Sequence, residues 1–527
     1  LVLGAWTGCL PYPGAIVMTD LPRLLWMLID GFPHWLVERY VESPRVAARL
    51  PMLQQLWRQD CISRLLPVSP NCQTPPSLST LWSGVEPLGT GIVGFHLPDP
   101  DGAHPIAVKE AFSVRPTHVR WIWDFYAEAG HAVRLCHVPF VSPERLGDRA
   151  RYVSYGFVPP LRAPALASPS SLSPKELWHY EAIDGDARLT AGSWSLQDQA
   201  VDIELGAWRP RLHGNDIERT VERLRHAPPL LASAPNTLYR EGKLGPRLAD
   251  GGDGTAERVF TACLIQMSLR YLDEFLDSVE QADSQLVIGY QPALDIMLHE
   301  FAGYLDPACL FWSAEREAIV DELVLTMLER FDVFLSRLQA VARPKDRVIV
   351  CSDHGMASLD TIIFPNTVLA QRGYLASTPD LKIDVERSIC FYHPAETGAL
   401  WINPAAADRA GVSRRAIVAD LCSDLADAPG GVPDILPTGG DVLEGFDLLG
   451  HLRPGHCQQA KATITDARWG PSRKTGEHGS HCLDPRLEGI VIDLSAERQR
   501  PTASAIMAKD VAAAFMGCRI PQEALNA

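Results

Sequence analysis

Three carboxylates, three or four imidazoles and one threonine stand where short apolar runs of this 527-residue chain give way to polar residues. Asp30 follows "LLWMLI". Asp295 and His299 lie in "YQPALDIMLHEFAG", spaced so that a helix would aim both at one point. Asp353 and His354 sit in "CSDHG", and His478 and His481 in "TGEHGSHC". Each has an ordinary explanation: an Asp-Gly turn, a surface helix pair, a loop start, two solvated loop histidines. Together they form a mixed nitrogen and oxygen donor set suited to zinc or a similar divalent ion. Their number suits two ions, and two ions can clamp both oxygens of an in-line phosphoryl displacement.

The threonine is Thr74, in "SPNCQTPPSLSTLWSG". Pro75 suits the first turn of a helix, which leaves Thr74 at the N-cap and Gly84 as the stop. Capping alone would account for Thr74. A hydroxyl at a helix N-terminus is also where phosphate is met, because free N–H groups and the helix dipole favour anions. One residue can serve both ends.

Positioning these groups requires a scaffold, and the apolar runs supply one. "LLWMLI", "LVIGY", "RVIVCS", "ALWIN" (399–403) and "GIVIDL" (489–494) read as buried parallel strands. Long amphipathic helices are expected from Ala256 to Gln281 and from Ala314 to Ala342, the latter with Ile319, Leu323, Met327 and Phe331 on one face. Strands alternating with helices imply an α/β fold, a doubly wound, mostly parallel sheet with helices on both faces. In open sheets of this kind ligands bind beyond the carboxyl ends of the strands, the edge to which the candidate residues are offered.

Composition narrows the partners. With 46% apolar and 21% charged residues the chain reads as globular. No apolar run has the length of a membrane span. A net charge of −16 argues against a nucleic-acid surface and makes any anionic substrate depend on local positive charge. Twelve cysteines, scattered singly, read as reduced thiols of a cytoplasmic protein. The opening "LVLGAWTGCLPYPGAIV" lacks a basic n-region and makes a poor secretion signal, while Met18 resembles a natural start. Pro-, Ser- and Gly-rich stretches break the strand–helix rhythm twice. The expected organisation is an extension over 1–21 and core segments over 22–150, 256–377 and 471–527. Two inserted caps over 151–255 and 378–470 separate these segments.

The ordered set Asp30, Thr74, Asp295/His299, Asp353-His354, His478 resembles the alkaline phosphatase superfamily. Within it the chain is most similar to the type I phosphodiesterase/nucleotide pyrophosphatase branch. "QTPPSLSTLWSGVEPLGTGIVGF" resembles that branch's nucleophile segment, and "CSDHGMASLDTIIFPNTVLAQRGYL" the segment that follows its Asp-His-Gly motif. The resemblance spans roughly 22–100, 255–375 and 470–520. It implies two divalent cations, Zn2+ or alternatively Mn2+. One would be held by Asp295, His299 and His478, the other by Asp30, Asp353 and His354 with the Thr74 oxygen nearby. Thr74 would attack phosphorus and form a phospho-threonine intermediate, which an activated water then hydrolyses. Backbone N–H groups at the helix start would help hold the phosphoryl oxygens.

The chain departs from that pattern in places. Nucleotide pyrophosphatases typically carry Lys before the Thr and Asn three residues after it; here Gln73 and Ser77 occupy those positions. Ser77 and His481 are the candidate substrate contacts. Arg473 and Lys474 are candidates for a positive clamp, and His96, His451 and His456 read as surface or cap residues. "TPPSL" lacks the Cys or Ser that a sulfatase needs. The expected function is a two-metal phosphoester hydrolase acting on a small, nucleotide-like or other phosphodiester. Phosphomonoesterase, phosphonate hydrolase and phosphoryl transferase or mutase chemistry are the alternatives, and a non-catalytic phospholigand-binding protein ranks below them. The sequence sets no oligomeric state.

Overall fold

The computed structural model describes residues 21–44, 46–69, 71–99, 107–142, 235–281, 283–380, 382–393, 399–424, 467–479, 484–495 and 504–517. Short segments between 146 and 231 and between 434 and 458 are also described. A nine-stranded sheet organises them. Its order is Arg211–His213, Ala150–Ser154, Val133–Cys136, Leu286–Gln291, Leu24–Ile29, Arg347–Cys351, Gly489–Asp493, Ile62–Leu66, Ala505–Met507. The five strands from Ala150–Ser154 to Arg347–Cys351 run parallel.

Two strand expectations need correction. "GIVIDL" enters the sheet antiparallel to both neighbours. "ALWI" pairs instead with Cys390–Tyr392 and Leu448–His451 in a separate four-stranded sheet that has its own apolar core. An apolar run reports burial, and burial is the same in either direction and in either sheet.

The Leu24–Ile29 strand shows why the sheet lies between two helical layers. Leu25, Met27 and Ile29 enter one core, and Leu24, Trp26 and Leu28 the other, as the period-two alternation of a strand requires. The first core is covered by helices that include Thr255–Glu280 and Ala314–Val341, within one residue of the ranges expected. Ser313 caps the second of these by accepting from the Arg316 amide. Met327 and Phe331 are buried on its inner face, while Ile319 and Leu323 are half-buried. On the outer flank, the buried Asp332 carboxylate accepts the amides of Met52 and Leu53 and caps the Pro51–Arg58 helix from another element. The second core is covered by the Thr74–Ser83, Ile122–Glu128 and Ala508–Met516 helices. No helix among the described residues is long and apolar enough to cross a membrane.

Candidate functional site

Register brings the first carboxylates together. Ile29 pairs with Gln291, and Leu28 with Cys351, so Asp30 and Asp353 leave adjacent strands at the same edge. Gly31 turns the chain immediately after Asp30. Its φ of +61° favours glycine, and a Cβ there would fall 2.7 Å from Asp295 Cβ. The Gly31 and His354 amides both donate to Asp353 Oδ1, at 3.1 Å each. The Tyr290 hydroxyl donates to Asp30 Oδ2. Each carboxylate thus has one oxygen tethered. Asp30 Oδ1 and Asp353 Oδ2 are buried without a hydrogen-bond partner, and they lie 3.4 and 3.2 Å from His354 Nε2.

The second group is assembled across a longer span of chain. Asp295 and His299 lie on the Ala293–Phe301 helix, four residues apart as expected, with Asp295 Oδ2 3.5 Å from His299 Nε2. His478 comes from a turn laid against that helix. Gly476 permits the approach, since a Cβ there would lie 2.2 Å from the Leu298 carbonyl. His478 Nε2 is 3.5 Å from Asp295 Oδ1, another buried oxygen without a hydrogen-bond partner. The His354 and His478 rings stack at 3.8 Å and bring the two groups side by side.

All three imidazoles are oriented alike. Nδ1 donates to a backbone carbonyl in each: Gly476 for His299, Gly355 for His354 and Cys72 for His478, each at 2.9 Å. A carbonyl oxygen can only accept, so Nδ1 carries the proton and Nε2 presents its lone pair. Burial further disfavours the imidazolium forms, lowering His354 and His478 and taking His299 down to about 3. Burial likewise pushes the carboxyls up. For Asp30 the Asp353 charge adds to it, for Asp295 the Asp30 charge, and Asp353 reaches about 8. Lone pairs therefore face carboxylate oxygens in a dry interior, an arrangement that a cation between them relieves. Two donors of a tetrahedral zinc ion stand about 3.3 Å apart, given bonds of about 2.0–2.1 Å. The 3.2–3.5 Å separations here fit that edge. Within each triad, Asp30/Asp353/His354 and Asp295/His299/His478, the donor atoms lie within 4.8 Å of one another.

Thr74 meets the first triad, its Oγ1 3.2 Å from His354 Nε2. Because Nε2 carries no proton, the hydroxyl donates. The helix begins one residue earlier than the N-cap expectation for Thr74: Gln73 is the N-cap, Thr74 the first helical residue and Pro75 the second. Gln73 has extended backbone angles, and its carbonyl accepts the first helical hydrogen bond, from the Ser77 amide at 3.0 Å. Gly84 ends the helix at φ +71°, as expected. The expectation of several free amides at the helix start also needs correction. Pro75 and Pro76 have no N–H, and the Ser77 N–H is spent on Gln73, which leaves the Thr74 amide.

The remaining candidates divide. Ser77 is fully buried one turn beyond Thr74, and its Oγ has no hydrogen-bond partner among the described residues. Lys474 pairs with Glu477 at 3.5 Å, and Arg473 is exposed with its carbonyl accepting from Arg247. Glu477 in turn accepts from the His478 amide; against the upward push of burial, Lys474 and the neighbouring imidazoles hold it low. His96 is half-buried in a two-stranded ribbon, while His451 and His456 lie in short strands of other sheets. His481 lies outside the described residues. Sequence reasoning missed Tyr290 and the three carbonyls that orient the imidazoles. Tyr290 had a signal, a hydroxyl-tipped aromatic at the carboxyl end of a strand; the carbonyls had none, because any residue supplies one.

Comparison with known proteins adds a family. The sequence profile of type I phosphodiesterase / nucleotide pyrophosphatase matches residues 24–430. No curated protein matches the chain in sequence. Among solved structures it is similar to phosphonoacetate hydrolase from Sinorhizobium meliloti 1021 in complex with phosphonoformate. That pair shares 14% identity and a TM-score of 0.45 over 94% of this chain and 96% of that one. It is also similar to an inactive form of murine ectonucleotide pyrophosphatase/phosphodiesterase 5 in complex with AMP, at 12% identity and a TM-score of 0.48 over 95% and 97%. With its profile covering most of the sequence, the chain belongs to the type I phosphodiesterase/nucleotide pyrophosphatase family of phosphoric ester hydrolases.

Proposed function

We propose that the protein is a two-metal hydrolase of a small phosphodiester, with Thr74 as its nucleophile. The observation that carries this reading is the pair of Asp/His triads with unpaired donor atoms, one of them touching the Thr74 hydroxyl. Asp30, Asp353 and His354 would hold one divalent cation and Asp295, His299 and His478 the other, Zn2+ by donor chemistry and Mn2+ as the alternative. When bound, such ions supply positive charge to phosphoryl oxygens and make a coordinated hydroxyl or water a nucleophile at neutral pH.

The residues of the chain do the rest. The helix start fixes Thr74 Oγ1 for in-line attack on phosphorus. The new bond from Oγ1 forms as the bond to the leaving alcohol breaks, giving phospho-threonine. Water on the opposite side then cleaves that ester and returns the hydroxyl. His354 Nε2 and the Asp30 and Asp353 oxygens surround the attacking atom, while Asp295, His299 and His478 face the water side. Ser77, with its unpaired hydroxyl, would contact a phosphoryl oxygen, and His481 remains the candidate for a further substrate contact. The inserts over 151–255 and 378–470 act as caps that select the leaving group. Buried free thiols at Cys136, Cys263, Cys309 and Cys351 support a reducing, cytoplasmic setting.

The test is turnover of an aryl phosphodiester beside the matching monoester, by wild type and Thr74→Ala. Diester cleavage should vanish on chelation, return with zinc or manganese, and be absent in Thr74→Ala. Undiminished activity in Thr74→Ala would overturn the nucleophile, and a preference for the monoester would overturn the substrate class.

A further inference from the structure

We propose that Gln73 is a specificity-determining residue. Its side-chain amide, with the Thr74 amide and the Ser77 hydroxyl, forms an uncharged cradle that selects a phosphoryl group bearing a single negative charge. The inference rests on the Thr74 reading and deepens it by naming the charge class of the substrate.

Two prolines strip donors from this helix start. A helix N-terminus ordinarily offers an anion several backbone N–H groups. Here Pro75 and Pro76 have none and the Ser77 amide is used, so the Thr74 amide is the backbone donor left at this terminus. Side chains must replace the missing donors. Gln73 is placed to do so, and it is held for the task. As N-cap it makes no capping bond with its side chain. Its Oε1 accepts the Phe95 amide at 3.1 Å instead. That bond settles which end of the side-chain amide is which, because an N–H can only be met by the oxygen.

The NH2 end is therefore turned away from Phe95. It lies against Gly479, where a Cβ would fall 3.0 Å from Nε2, and it makes no hydrogen bond to the protein among the described residues. Gly479 follows His478 and Gln73 precedes Thr74, so this donor sits between the nucleophile and the second triad. Gln73 is 8% exposed, so its side-chain amide meets little water. The Phe95 ring packs edge-on against Phe112 at 5.9 Å, and Phe112 against Phe140 at 5.2 Å, so the anchor of the Gln73 amide is itself fixed to the aromatic core.

Three neutral donors with no protein partner among the described residues then stand at this helix start: the Thr74 amide, Gln73 Nε2 and Ser77 Oγ. A phosphodiester carries one negative charge near neutral pH and offers two non-bridging oxygens. A monoester carries nearly two charges and a third oxygen that needs a further cation. The nearby Lys474 is ion-paired to Glu477. A neutral cradle beside the cation-binding triads matches the diester.

Two substitutions separate the donor from the anchor. Gln73→Glu keeps an oxygen for the Phe95 amide but replaces the NH2 with a second acceptor. Gln73→Lys puts a cation beside Thr74. Metal-loaded protein should give a Gln73→Glu variant with unchanged melting temperature, about tenfold or more lower kcat/KM on an aryl phosphodiester, and weaker inhibition by a dialkyl phosphate. Gln73→Lys should raise the ratio of monoester to diester kcat/KM about tenfold. If Thr74→Ala is inactive yet both Gln73 variants keep the wild-type ratio and the wild-type inhibition constant, the inference alone falls. Full turnover in Thr74→Ala would overturn the nucleophile reading and the cradle with it.

Discussion

The Asp30–Asp353–His354 and Asp295–His299–His478 triads hold the same donor types, yet the chain assembles them in different ways. The first grows from the ends of two adjacent parallel strands, and all three side chains are fully buried. Its spare oxygens are tethered by Tyr290, Gly31 and His354, so the backbone that builds the sheet also aims the ligands. The second joins a helix to a turn nearly 180 residues further along, through contacts such as Thr475 N to His299 O at 2.9 Å. His299 keeps 12% of its side-chain surface. Sheet-end geometry thus pre-organises the side where Thr74 lies. The side assigned to water is held by tertiary packing and stays more open.

The comparison can be broken most severely at Asp353. Partners outside a metal's ligand set are typically worth about 10–100-fold in affinity or activity, so loss of a ligand itself should exceed that. Asp353→Ala should lower diester turnover by about 10³-fold or more and leave one cation per chain by elemental analysis. Loss of both cations would show that the triads form as one unit. His299→Ala, at the more open triad, should weaken cation retention by about 10²-fold or more yet by less than Asp353→Ala does, read by competition with a chelator. An equal or greater loss than at Asp353 would reverse the ranking of the two triads.

Chelation should expose the buried carboxyls through pH. An Asp whose pKa is raised in the folded state contributes stability that is fully present below its unfolded value, about 3.9, and is lost as pH rises through the folded value. Asp353 sits at about 8, with Asp30 and Asp295 also raised. The melting temperature of chelated protein should therefore fall as pH rises from about 4 through about 8, and excess zinc should flatten the profile. A profile that ignores zinc would contradict the assignment of either triad. The smallest effect lies outside both. Asp332→Ala leaves the Met52 and Leu53 amides unpaired and should cost about 1–2 kcal/mol of stability in denaturant unfolding, with turnover unchanged.

Legibility in the sequence followed the range of the physics. Periodicity located the Thr255–Glu280 and Ala314–Val341 helices to within a residue, because thirty or so residues of pattern define a face. Strand ends were legible as apolar runs cut by an acidic residue, and the chain brings Asp30 and Asp353 to one edge as the doubly wound reading anticipates. Strand direction was not legible: "GIVIDL" is buried on both faces whichever way it runs. Nor was the detail at Thr74. Pro75 was read as the first helical residue, yet the chain enters the helix one residue earlier. Hydrogen-bond partners that come from 20 or more residues away, Phe95 for Gln73 and Cys72 for His478, carry no local signal.

The most direct test of the account is to stop the reaction with acid while metal-loaded protein is turning over an aryl phosphodiester, and to map phosphate by peptide mass spectrometry. The account predicts a phosphorylated peptide containing Thr74, present during turnover and missing from chelated protein. Rapid diester cleavage with Thr74 unmodified at every quench time, including under conditions that slow the second step, would contradict it.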